Sequence, residues 1–109
     1  MKLIFICAPY RSSNIFGIIR NIWKARKLAI KVWKAGHIAI CPHLNSALFS
    51  TKTGIKEETF LKGDLRILAR CDAICIKTGR WSGGMHAEVE HAHDYGIEVI
   101  HEHELGKTQ

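Results

Sequence analysis

Two rhythms of apolar residues alternate along this chain. Short apolar runs fill residues 2–7, 37–41, 72–77 and 97–101, rich in Ile, Val, Cys or Phe and bounded by Pro, Gly or charged residues. Runs of this length and composition predict strands buried within a sheet. Between them the apolar spacing becomes helical. Ser12-Ser13-Asn14 offers an N-cap, Ile15, Ile18, Ile19, Ile22, Trp23, Ala29, Val32 and Trp33 follow at helical intervals, and Gly36 closes the segment. This spacing assigns Trp23 and Trp33 to the buried side. Residues 57–70 predict a second helix with Phe60, Leu61, Leu65 and Leu68 inward, and residues 83–95 a third, ended by Gly96. Residues 42–56 read as a polar loop and residues 102–109 as a tail.

Strand, helix and strand in repeated succession predict an α/β fold: a doubly wound, flavodoxin-like parallel sheet of about four strands with helices on both faces. The chain of 109 residues fits a single domain. Ligands in such sheets bind beyond the carboxyl ends of the strands, where strand order reverses. Three loops converge there, at residues 8–14, 42–56 and 77–84.

Composition narrows the class of protein. Apolar residues make up 47% and charged residues 24%, the balance of an ordinary globular chain. No stretch reaches the roughly 20 apolar residues of a membrane span, and the apolar run after Lys2 is broken by Pro9 before any cleavage signal. A cytoplasmic protein with no membrane partner is the expectation. The four cysteines lack zinc-type spacing and sit among apolar neighbours, as reduced core residues do. The net charge of +6 is uneven, since Arg20, Lys24, Arg26, Lys27, Lys31 and Lys34 fall in one helix. With both tryptophans assigned inward, no aromatic side chains interleave with that basic face, so it reads as a solvated surface and nucleic acid is not an expected partner.

The richest segment for chemistry runs from Asp64 to Glu88. Ser82-Gly83-Gly84 opens a helix just after a buried strand, and free backbone N–H groups at a helix N-terminus favour an anion. Glu88 stands one turn further in, and Asp64 lies at the far end of the preceding helix–strand unit. An anion cradle with two carboxylates nearby suits an enzyme that cuts a phosphorylated sugar. Arg11 can clamp a phosphate, and Tyr10 can stack on a base or donate a hydrogen bond. His43 follows Pro42 at a strand's carboxyl end, where it can touch a ligand. The loop at residues 8–14 lacks the glycine patterns of dinucleotide or triphosphate sites. Seven histidines invite a metal, but His91 and His93 point to different helical faces, and His86 with Glu90 has no third ligand. Neither a metal site nor a cofactor is expected.

On Asp64-Leu65, Cys71-Asp72-Ala73, Ser82-x-Gly84-x-x-x-Glu88 and Ala92 before Gly96, the chain resembles the nucleoside 2-deoxyribosyltransferase superfamily. It is particularly similar to the branch of 2'-deoxynucleoside 5'-monophosphate N-hydrolases, and also to small, uncharacterised phage and bacterial members of the superfamily, over residues 2–101. The resemblance implies Glu88 as nucleophile and Asp64 as its assistant at sugar and base. It also implies Arg11 and Ser82 on the 5'-phosphate. Gly84 belongs to the same turn, and Tyr10 and His43, from their loop positions, are expected to line the sugar or base pocket. Serine at position 82, where transferases of unphosphorylated nucleosides carry an aspartate, implies a nucleotide substrate. Gly84-Met85-His86 departs from the family's Gly-x-Gly spacing at this point. Relatives complete their sites from a neighbouring subunit, so a homodimer or larger homo-oligomer is implied. Base exchange between deoxynucleosides, or nucleotide binding without chemistry, are the other readings of the same cradle.

Overall fold

The structure, a computed structural model, describes residues 1–47 and 53–105. In chain order the elements are β1 (Leu3–Cys7), α1 (Ile15–Lys34), β2 (Ile38–Ile40), α2 (Pro42–Asn45), α3 (Glu57–Leu68), β3 (Ala73–Ile76), α4 (Gly83–Asp94) and β4 (Glu98–His101), then a 3-10 turn at Glu102–Glu104. All strand pairs are parallel and the order is β2-β1-β3-β4. The chain leaves β1 toward β2 on one side and returns to β3 on the other, so the switch point of this doubly wound sheet lies between β1 and β3.

Alternation along the central strands divides the core in two. Ile4, Ile6, Ala73 and Cys75 face α1, where they meet Ala25, Leu28, Ala29 and Val32. Phe5, Cys7, Ile74 and Ile76 face the other way, onto Leu68 of α3 and Met85, Val89 and Ala92 of α4. Each fully buried side chain such as Leu28 or Phe5 contributes roughly 1.5–3 kcal/mol of transfer free energy. The helices earn their places on the sheet mainly through these stripes, because isolated helices of this length are marginal.

Local signals begin and end α1 as its sequence suggests. Asn14 accepts a hydrogen bond from the Gly17 N–H at 2.9 Å, and Gly36 adopts φ +89° after the last turn. Gly17 is sterically required, since a Cβ there would stand 1.8 Å from the Ser12 Oγ and 2.5 Å from its Cβ.

Four expectations need correction. Trp23 and Trp33 are 54% and 52% exposed, and the Arg26 guanidinium lies 5.0 Å from the Trp23 ring centroid. Ala25, Leu28, Ala29 and Val32 fill the space against the sheet, leaving the bulkier indoles no room inside. Phe60 and Leu61 are only partly buried and line a cavity rather than the core. The segment read as a loop from residue 42 starts with the short helix α2, which Pro42 opens at its first turn; residues 48–52 of that reading lie outside the described residues. Residues 102–105, read as part of a tail, form an ordered turn with Leu105 packed against the α1 side of the core. The rest of the tail, residues 106–109, lies outside the described residues. All four cysteines are free, three of them buried. Among the described residues no helix is long and apolar enough to cross a membrane.

Candidate active site

A cavity of about 460 Å³ opens at the carboxyl ends of the strands, beside the switch point. Tyr10, Arg11, His43, Asp64, Ser82, Gly84 and Glu88 all line it. Two loops and the helices α2, α3 and α4 thus deliver the seven side chains or backbones singled out in the sequence.

Glu88 owes its position to the stripe of α4. Met85, Glu88, Val89 and Ala92 are the buried residues of that helix, so the carboxyl occupies a place where the helix calls for an apolar side chain. It is the one charged residue among the described residues to be buried, at 5% exposure. Burial pushes its carboxyl up to about 8; the Cys7 thiol, hydrogen-bonded to it, works the other way, and the nearby Asp64 charge adds to the rise. Cys7 ends β1 on the same sheet face and also lies 3.9 Å from the Met85 carbonyl. Burial beside a carboxylate pushes that thiol up, so it acts as a neutral donor.

Asp64 comes from α3, on the turn before Leu68 anchors that helix. Burial raises its carboxyl to about 6. The two carboxyls therefore hold one proton between them from about pH 6 to about pH 8.

At the rim, Ser82 caps α4 by accepting from the Met85 N–H at 3.3 Å. The His86 N–H is satisfied by the Ser82 carbonyl at 3.2 Å. The N–H groups of Gly83 and Gly84 have no acceptor among the described residues, and both glycines line the cavity. Neither has the positive φ that would demand glycine, and a Cβ at Gly84 would approach only the Ser82 Oγ, at 3.9 Å. Internal packing thus leaves open space over the start of α4.

Arg11 stands across the mouth, ion-paired with Glu57 at the first turn of α3. Both side chains are more than half exposed, so the pair is weak and open to competition from a phosphate. The Asn21 amide holds the Arg11 loop by donating to the Tyr10 and Arg11 carbonyls at 3.1 and 3.2 Å. His43 Nε2 lies 2.6 Å from the Ala8 carbonyl, which can only accept, so Nε2 carries the proton and Nδ1 is the acceptor. Burial lowers the pKa of this imidazole, keeping it neutral, and its ring lies 5.0 Å from that of Tyr10.

Cys7, Glu57, Phe60 and Leu61 belong to the site without having been singled out for it. Cys7, Phe60 and Leu61 look like core in a sequence, and Glu57 looks like a helix-start acid. No cluster of three or more potential metal ligands exists among the described residues.

The fold is one that solved structures share. The fold matches that of a 2-deoxyribosyltransferase from the psychrotolerant bacterium Bacillus psychrosaccharolyticus with a TM-score of 0.64 and 18% identity, over 91% of this chain and 70% of that one. It matches a 2-deoxyribosyltransferase from Leishmania mexicana with a TM-score of 0.62 and 14% identity, over 93% of this chain and 63% of that one. No protein of curated function matches the sequence. The chain belongs to the family DUF7768, a domain of unknown function, which it matches over residues 2–102.

Proposed function

We propose that this protein hydrolyses the N-glycosidic bond of a 2'-deoxynucleoside 5'-monophosphate. The observation that carries the reading is the buried Glu88 carboxyl in the same cavity as Asp64, with two uncapped helix-start N–H groups and Arg11 at the rim. The names of the structural neighbours are in keeping with chemistry at a deoxyribose, and serine rather than aspartate at position 82 leaves the cradle free of a charge that would repel a phosphate.

In this reading the Gly83 and Gly84 N–H groups, the Ser82 hydroxyl and Arg11 hold the 5'-phosphate, with Arg11 exchanging Glu57 for the ligand. Tyr10 and His43 border the sugar or base. The proton held by the pair rests mainly on Glu88, and the reaction needs it on Asp64. That single transfer creates both a nucleophile and an acid. The Glu88 carboxylate attacks C1' while the C1'–N bond breaks, and Asp64 gives its proton to the departing base. The oxocarbenium-like charge that develops at C1' is stabilised by the carboxylate beside it. Water then attacks C1' of the glycosyl ester, Asp64 takes a proton from it, and 2-deoxyribose 5-phosphate leaves.

Incubation with each of the four 2'-deoxynucleoside 5'-monophosphates, followed by chromatography, is expected to show free base and 2-deoxyribose 5-phosphate. Glu88→Gln is expected to lower the rate at least 100-fold; undiminished release by that variant would end the assignment. Base exchange predicts release only when an acceptor base is added. Nucleotide binding without chemistry is favoured by one feature, the protonation of Glu88 at neutral pH, and predicts calorimetric binding with no base released. Assembly into a homodimer or larger homo-oligomer is part of the proposal, and light scattering tests it.

A further inference from the structure

The 3-10 turn after β4 carries a carboxylate whose contacts reach two other parts of the fold. Glu102 Oε2 accepts from Lys31 Nζ of α1 at 2.8 Å. Its Oε1 accepts from Lys77 Nζ at 2.9 Å and from the Thr78 N–H at 3.1 Å. The side chain is only 9% exposed and Lys77 only 22%, so water competes poorly for the bond between them, whereas Lys31 is more than half exposed. Burial works to raise the Glu102 carboxyl, but the bonds from Lys31, Lys77 and Thr78 outweigh it and hold the group down at about 2.

Lys77 and Thr78 begin the loop that ends at Ser82 and the start of α4. At the near end the Lys77 N–H donates to the Cys7 carbonyl at 2.9 Å. At the far end Trp81 packs against the core and the His86 ring, and the Ser82 N–H donates to the Met85 Sδ at 3.4 Å. Gly79 sits between the two ends at φ +123°. A backbone conformation open mainly to glycine supplies no rigidity of its own. The bonds to Glu102 tie the near end of the loop to α1 and to the turn after β4, in addition to the Lys77 N–H bond that ties it to β1.

We infer that Glu102 is a positioning residue for the phosphate cradle, clasping residues 77–82 so that the Ser82 hydroxyl and the Gly83 and Gly84 N–H groups stand where a 5'-phosphate can meet them. This rests on the phosphate-binding reading of the cradle given above. Glu102 touches no substrate; its effect reaches the ligand through the loop. The consequence is selective. Loss of the clasp weakens interactions with the phosphate and leaves contacts to sugar and base from Tyr10, His43 and Asp64 in place, because those side chains come from other elements.

The test compares the parent protein with Glu102→Gln and Glu102→Ala, and with Lys77→Met, which opens the clasp from the loop side. Binding of the 2'-deoxynucleoside 5'-monophosphates and of the same nucleosides without phosphate is measured by calorimetry, and base release is followed in parallel. All variants are first checked for the parent's circular dichroism, and Glu102→Gln, which keeps shape and one acceptor, serves if Glu102→Ala does not fold. The expected result is an increase in Kd or KM for the monophosphates on the order of tenfold, with kcat within about twofold and no change in affinity for the unphosphorylated nucleosides. Equal losses for both ligand sets, unchanged affinity in all variants, or a parent that does not distinguish monophosphate from nucleoside would overturn the inference. A parent that binds the monophosphates without releasing base would remove the hydrolase reading while leaving the clasp intact.

Discussion

Replacing Glu88 by glutamine tests the site through stability rather than through catalysis. The folded protein holds this carboxyl at about 8, against an ordinary value of 4.5. A group raised in the fold stabilises it only while protonated. That contribution is complete below the unfolded value and is lost as pH climbs through the folded one. A shift of about 3.5 units corresponds to about 5 kcal/mol between the two limits. The window from about pH 6.5 to about pH 8 isolates the effect. Asp64, raised to about 6, gives up most of its proton before pH 7, burial moves His43 below its ordinary value, and both groups are present in parent and variant alike. Across that window the parent loses about 1.4 kcal/mol per pH unit, or about 2 kcal/mol in all. Glutamine keeps the shape and the capacity to bond the Cys7 thiol but cannot ionise. Urea unfolding at constant ionic strength is therefore expected to show a parent that weakens toward pH 8 and a Glu88→Gln variant that stays level and is the more stable of the two at pH 8. Parallel profiles for the two proteins would refute the placement of an ionisable carboxyl in this apolar stripe.

Two further outcomes follow from the same geometry. The rate of base release is expected to peak between about pH 6 and about pH 8, where the Asp64–Glu88 pair holds a single proton, and Asp64→Asn should abolish that bell shape in a pH–rate series. Gly84→Ala should leave thermal stability unchanged or raised by up to about 1 kcal/mol, since α4 has room for the methyl group, while weakening monophosphate binding at least tenfold in calorimetry. Tight binding by that variant would show that nothing approaches the backbone there.

Much of this site was legible in one dimension, for reasons that differ by residue. Ser82-Gly83-Gly84 announces a helix start because caps and turns have strong local preferences, and Arg11 and Tyr10 lie in a loop whose position follows from a strand ending at Cys7. Glu88 could have been singled out more sharply, since it interrupts the apolar stripe of Met85, Val89 and Ala92. Cys7 gave no such signal: a thiol in a buried strand looks the same whether it faces a methyl group or a carboxylate. Phe60 and Leu61 read as core because helical spacing identifies a face but not whether the neighbour is a sheet or a cavity. Trp23 and Trp33 misled in the same way, for four smaller residues of α1 had already filled the inner face.

Local preference and periodicity by themselves determined the main strands and helices and their order along the chain, because each depends on neighbours within a few residues; the parallel sheet and the loops at its carboxyl edge then followed from the alternation of strand and helix. Tertiary structure alone decided that Glu88 is buried and protonated at neutral pH, that Arg11 waits on Glu57, and that Glu102 clasps a loop from which it is separated by the whole of α4 and β4. Those properties arise from distances between segments remote in sequence, and electrostatics and desolvation act through such distances, not through position along the chain.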